Sequence, residues 1–442
     1  MIRCLFLFAV CFASNFLLAQ DRKPGSFYLS SSGNDDDIGN SQHPWKTLDK
    51  LNSIRLSGGD TVFLKGGETF TGTLVLDSID RGKQGKPIVI MSSGGPKAII
   101  DGGNNEAIRV YLTQDIEIFN IICKGSGRKS GNTQNGCGII FSNNILIRGL
   151  EISGFQKSGL VVYESGKVRV LDVHSKENGF AGISVDAPYG TRLSKNVYIG
   201  NCIAENNPGD PTNLDNHSGN GIIIGNSRNV MVENCIATNN GWDMPRKGNG
   251  PVGIWCYEAD SITFRSCISY RNKTSAGAFD GGGFDFDGGI TNSVMENCLS
   301  FENQGSGYGI FQYDGASPWR NNFVRNSISI NDGNTIKMGG SVYIWNGMKD
   351  IKQMDGLSFS KNILVNDIGS IIVYNEDNLH SGFEFYKNRF ISPNPHVRGK
   401  DSAATDRFYR NKSGKSIDLQ KFPPPVDPGK IKKYYKLLRR KT

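Results

Sequence analysis

From Gly182 onward the chain alternates apolar and other residues in short runs that each open on a glycine: GISVD, GIIIG, GIWCY and GFDFD, beginning at Gly182, Gly221, Gly253 and Gly283. A period of two is that of a β-strand, and no stretch of helical period separates the runs. Each is followed by a turn, a second alternating run such as NVMVENCIA, and a polar turn rich in asparagine. The pattern predicts short strands and turns, repeated many times.

The repeat can be measured. NCIAENN, NCIATNN, SCISYRN and NCLSFEN place Cys202, Cys235, Cys267 and Cys298 at separations of 33, 32 and 31 residues, and NSISIND continues the series with Ser327 in the Cys slot. Five residues after each slot comes Asn207, Asn240, Asn272, Asn303 or Asp332. Self-similarity at this period is the mark of a solenoid. Parallel strands stacked about 4.8 Å apart give an all-β, single-stranded right-handed parallel β-helix. In it the cysteines form an interior stack of free thiols rather than disulfides. The asparagines become a ladder of turn amides, each bonded to the coils above and below.

Because side chains alternate across a strand, the opening glycines sort residues by side. Ile183/Val185, Ile222/Ile224, Ile254/Cys256, Phe284/Phe286 and Tyr308/Ile310 point inward, so Ser184/Asp186, Ile223/Gly225, Trp255/Tyr257, Asp285/Asp287 and Gly309/Phe311 face solvent, followed by Tyr343/Trp345. Asp285 and Asp287 thus stand outward in a row of exposed rings, with Gly309 leaving space above them. Flat rings beside carboxylates suit a sugar, and a contiguous exposed aromatic patch implies binding. Two like charges this close raise one pKa and leave the other group ionised, which supplies an acid and a base. Asp280, just before the strand, is placed to orient a water or a partner acid. The alternatives for these three aspartates are a calcium site and a solvated polar turn. Glu258, His217 and Asp314 are further candidates at the edges of the cleft. Two long insertions, residues 206–218 and 239–251, are expected to wall it with Trp242, Arg246 and Lys247, the two bases being able to recognise a carboxylate or sulfate.

Residues 1–20, one arginine followed by an apolar stretch and a small residue, read as a secretory signal peptide, which implies a secreted or periplasmic protein. The net charge of +8 suggests a polyanion partner until it is located. Arg3 belongs to the leader and seven Lys or Arg fall in the last fourteen residues, so the body is close to neutral and nucleic acid is not an expected partner. Nine cysteines include no CxxC and no His-Cys cluster at zinc spacing.

The segment FYLSSSGNDDDIGNSQHPWKTLDKLNSIRLSGGDTVFLKGG contains a strand, a Ser-Gly-Asn-Asp turn, a Pro-aromatic-x-Thr-Leu helix and a GGDTVFLKGG strand. It resembles the opening of the bacterial right-handed parallel β-helix proteins that act on polysaccharides, and the resemblance covers roughly residues 26–395. It implies an N-terminal capping helix that plugs the first coil, a β-helix over 21–395 and a C-terminal extension with a basic tail over 396–442. The activity it implies is carbohydrate cleavage. We expect a glycoside hydrolase acting on a polysaccharide or oligosaccharide through Asp285 and Asp287 with Asp280, helped by substrate contacts from Trp255, Tyr257, Phe311, Tyr343 and Trp345. A polysaccharide lyase acting on a uronic-acid glycan with calcium is the alternative, with Tyr257 or Tyr343 as base. A noncatalytic glycan-binding surface protein is a second. A monomer with no cofactor and no stable membrane insertion is expected.

Overall fold

In the computed structural model, which describes residues 23–333, 339–348, 350–375, 380–399 and 406–441, the strands coil into three parallel sheets of 14, 13 and 12 strands. One turn of the coil visits the three in order: Gln114–Phe119 in the first sheet, Ile121–Gly125 in the second, Cys137–Ile140 in the third. The chain is a right-handed parallel β-helix, and the leader expected at 1–20 lies outside the described residues.

Register makes columns of the repeat. Ile222, Ile254, Phe284, Tyr308 and Val342 are paired one coil to the next, and all are buried in one continuous apolar core. The seven described cysteines are free and buried, and the Cys202 amide donates to Cys235 Sγ at 3.4 Å. The residue before each slot explains the motif: Asn201, Asn234, Asn297 and Asn326 have φ between +52° and +55°. Asparagine adopts this left-handed conformation at lower cost than most residues, so it turns the chain from the first sheet to the second within one residue.

The asparagine ladder runs from Asn178 to Asp332. Asn207 Nδ2 donates to Asn240 Oδ1 at 2.8 Å, Asn240 to Asn272 at 2.9 Å, Asn272 to Asn303 at 2.9 Å and Asn303 to Asp332 at 2.9 Å. The same acceptor oxygens take backbone amides, as Asn272 Oδ1 takes the Asn240 N–H at 3.2 Å. The left-handed backbone falls one residue earlier, at Asn206 and Asn239, so holding the turn and bonding the next coil are divided between two adjacent residues.

Helix α1 (Leu48–Asn52) buries Leu48 and Leu51 in the core of the first coils, and the Thr47 side chain caps it by accepting the Lys50 amide at 3.1 Å. Helix α2 (Ile431–Lys441) sets Ile431, Tyr434 and Leu438 against Ile363, Val365 and Ile391 on the outer face of the second sheet, while Lys432, Lys433, Lys436, Arg439 and Arg440 stay exposed. The basic tail is therefore the solvated side of an amphipathic helix. The coil outlasts the boundary expected at 395: Val397–Arg398, Arg407–Tyr409 and Lys412–Gly414 each extend a sheet. Here the Cys slot is filled by Asn362, Asn388 and Asn411, each accepting the amide of the slot before it, and a search for cysteine does not see it. Among the described residues no helix is long and apolar enough to cross a membrane.

Replacing Asn272 by Ala removes the acceptor for both the Asn240 amide and its Nδ2 deep in the turn. Two stranded donors predict a loss of about 2–4 kcal/mol in unfolding free energy, read by denaturant titration.

Candidate active site

The outer face of the third sheet is the floor of a cleft of about 560 Å³. Register sets it out as two columns. Ile223, Trp255, Asp285, Gly309 and Tyr343 form one. In the other, Gly225 pairs with Tyr257 and Phe311 with Trp345, and the Asp287 amide, donating to Cys256 O at 2.9 Å, extends the ladder to set Asp287 between them. One wall comes from connections between the second and third sheets, carrying Asn216, His217, Asn249 and Asp280; the other comes from turns after the third sheet, carrying Tyr189 and Tyr313.

These walls correct the expectation of a solvent-facing row. Asp285 and Asp287 do point away from the coil's interior, but Asp285 is 3% exposed and only Asp287 keeps a partly open edge. Burial pushes all three acids up. Asp280 rises to about 6, the Gly250 N–H (2.9 Å to Oδ2) and the Arg246 charge opposing. Asp287 rises to about 7, opposed by the Gly288 N–H at 2.7 Å and reinforced by the charges of Asp280 and Glu258. Asp285 goes well above the usual carboxylate range, pushed by burial and then by Asp287 and Asp280. Instead of one raised and one ordinary carboxylate, the site holds three raised ones close enough to feel one another. Asp285 Oδ1 is buried without a hydrogen-bond partner, and a Cβ at position 309 would stand 2.9 Å from it, so the glycine is what admits this carboxyl. Among the described residues no group of three or more His, Cys, Asp or Glu is arranged to hold a metal ion.

The neighbouring polar groups are committed. Trp255 Nε1, which can only donate, bonds Asn220 Oδ1 at 3.0 Å. That orientation turns Asn220 Nδ2 toward His217 Nδ1 at 3.1 Å, which must accept. His217 therefore carries its proton on Nε2, and burial, with the Arg246 charge, holds its pKa down to about 3. It is a neutral donor. Tyr257 lies across Gly225, where a Cβ would stand 2.3 Å from its ring, and donates its hydroxyl to Asp186 Oδ2 at 3.1 Å; burial and Asp186 push this phenol far up. Glu258, expected on the rim, is fully buried: its Oε1 accepts the Tyr189 hydroxyl at 3.1 Å and the Ser317 amide at 2.8 Å.

Of the rings, Trp255, Tyr257, Phe311 and Trp345 line the cleft. They do not form the exposed patch expected, since Trp255 and Phe311 are 3% and 6% exposed. Tyr343 is buried against Phe311 and Val373, off the lining. Trp242 is exposed and sits over the Arg128 guanidinium rather than in the cleft. Arg246 binds Asn249, which lines the cavity, and acts on Asp280 and His217 through its charge. Lys247 and Asp314 are exposed and away from it. The lining residues not expected from the sequence are Tyr189, Tyr313, Asn216, Asn249, Gly250 and Val252. Tyr313 is one position from Asp314, and the connection 187–193, longer than the matching turns of earlier coils, was the available signal for Tyr189.

The Pel9A-like right-handed β-helix region matches residues 27–343, and the chain belongs to that family. Comparison with curated proteins gives no match. Among solved structures the chain is similar to the GH136 lacto-N-biosidase from Eubacterium ramulus, at TM-score 0.60 and 16% identity over 89% of this chain and 68% of that one. It is also similar to the PL6 family alginate lyase AlyGC, at TM-score 0.60 and 14% identity over 84% and 52% of the two chains. A mannuronic acid specific polysaccharide family 6 lyase from human gut microbiota aligns at TM-score 0.57 and 12% identity over 95% of this chain and 100% of its own. At such identities the likeness is one of fold.

A carboxyl with a raised folded pKa takes up a proton on folding, so its contribution is complete below the ordinary value of 3.8 and lost as pH rises toward the folded value. Asp285→Asn removes that proton uptake. We expect the variant to be more stable than the parent at pH 7 and to lose that advantage as pH falls toward 3.5, measured by thermal melts across pH.

Proposed function

We propose that the protein is a glycoside hydrolase, exported to the periplasm or medium by the leader-like residues 1–20, that cleaves a polysaccharide or oligosaccharide bound in this cleft. The observation that carries the proposal is the group of three enclosed aspartates, Asp285 and Asp287 on a ring-lined floor and Asp280 on its wall, with Asp280 and Asp287 raised toward neutrality. Asp280, the first to ionise and held by the Gly250 amide, supplies the base or nucleophile. Asp287 keeps its proton to about pH 7 and delivers it to the departing glycosidic oxygen. Asp285, buried beside them, stays protonated.

The folds of the lyase neighbours keep elimination in view, but elimination needs a base for the proton beside the uronate carboxyl. Tyr257 gives its hydroxyl to Asp186, Tyr189 and Tyr313 are phenols that burial pushes up and that are bonded to each other, Tyr189 also to Glu258, Tyr343 stands off the lining, and His217 presents a protonated Nε2. Among the described residues no Lys or Arg lines the cavity. This distribution of protons favours hydrolysis. A glycan panel separates the readings: a hydrolase releases reducing ends without an ultraviolet-absorbing unsaturated product, a lyase releases that product, and a binder releases neither.

On the cleaved glycan, Asp280→Asn and Asp287→Asn should each lower kcat by at least about 10²-fold with the fold retained, and full activity in both would end the proposal. The pH dependence of kcat/KM should be bell-shaped, rising near pH 6 as Asp280 ionises and falling near pH 7 as Asp287 loses its proton.

A further inference from the structure

The column that carries Asp287 continues toward the N-terminus beyond the cleft. Gly225 pairs with Tyr257, Tyr163 with Asp186, and Ile140 with both Tyr163 and Tyr111. Tyr163 therefore stands four rungs from Asp287 and Tyr111 six, roughly 19 and 29 Å along the axis at about 4.8 Å a rung. Phe141 fits between these two tyrosines, with ring centroids 5.8 Å from Tyr111 and 6.0 Å from Tyr163, both edge to face. Tyr111, Leu112 and Phe141 are 37%, 42% and 40% exposed.

Two features set this patch apart from stray surface apolar residues. Leu112 and Phe141 occupy the turn position that later coils give to Asn226 and Glu258, and all four have φ between +44° and +54°. A bulky apolar residue there bears the left-handed strain and the exposure without gaining burial. The patch is also joined to the cleft. A second cavity of about 340 Å³, lined by Tyr163, Ser184, Asp186 and Ile223, starts at the patch. It ends against the cleft through the Tyr257–Asp186 hydrogen bond and the Ile223–Trp255 pairing.

We infer that Tyr111, Phe141 and Tyr163 form a remote stacking platform for the far end of an extended glycan whose scissile bond lies in the Asp280–Asp287 cleft, so that the protein prefers chains several sugars long. The inference rests on the glycan reading of the cleft. Aromatic faces match the apolar faces of pyranose rings, and the edge-to-face arrangement leaves ring surface open.

The test uses the full chain with Tyr111→Ala and Phe141→Asn combined. Asparagine suits the left-handed position, so the thermal midpoint of Phe141→Asn alone should equal or exceed that of the parent. Both proteins are run through native gels containing soluble xylan, mannan, polygalacturonate or alginate, and assayed for cleavage of the polymer and its di- and trisaccharides. The platform predicts that the polysaccharide that retards the parent retards the double variant with about tenfold weaker affinity, and that any short-substrate cleavage is unchanged. Weakened retardation with no cleavage of any glycan by the parent would end the hydrolase reading and leave the platform standing. Equal retardation of both proteins, or none of the parent on any of the four polymers, overturns the platform.

Discussion

Parallel pairing in strict register is the constraint from which the rest follows. Once residue n of one coil must lie against its equivalent in the next, a sequence becomes a set of columns: the inner ones are apolar, the turn column is asparagine, and the outer ones mix acids, rings and glycine. The pairing is carried by backbone hydrogen bonds, so it is indifferent to what the outer face presents. The core and the asparagine ladder hold the scaffold, and the outer columns of the third sheet are free to carry groups that cost stability.

The aspartates are such groups. Three carboxyls close together and enclosed by loops resist ionisation, and the scaffold opposes this only with the Gly250 and Gly288 amides and the Arg246 charge. The surrounding side chains leave the acids' protons alone: Tyr257 is turned to Asp186, and His217 is fixed by Asn220, which is fixed by the Trp255 indole. Proton exchange near neutral pH is concentrated in Asp280 and Asp287 by occupying the alternatives elsewhere.

How much of this was legible depended on distance along the chain. The Cys202 to Cys298 spacing and the Gly-opened runs revealed the coil, the inward and outward sides of Asp285 and Phe286, and the ladder from Asn207, because each is repeated at the coil's own period. The coverings were not legible. Whether residues 206–218 and 239–251 fold over the floor is decided by contacts such as Arg128 with Asp243 and with Gly209 O, which join residues 115 and 81 positions apart and have no periodic counterpart. Hence the acids and rings were read as exposed. For the same reason Trp242 lies off the cleft that its insertion suggests it walls, and Glu258, whose carboxylate nestles under Gly289, is buried rather than on the rim.

The thiol column has a consequence of its own. Cys202, Cys235, Cys267 and Cys298 are sealed inside the coil as single sulfur atoms, each touching backbone oxygens and its neighbours along the stack. Among the described residues no covalent cross-link has to be made before the coil can close, so the stack adds packing to the core without a disulfide step.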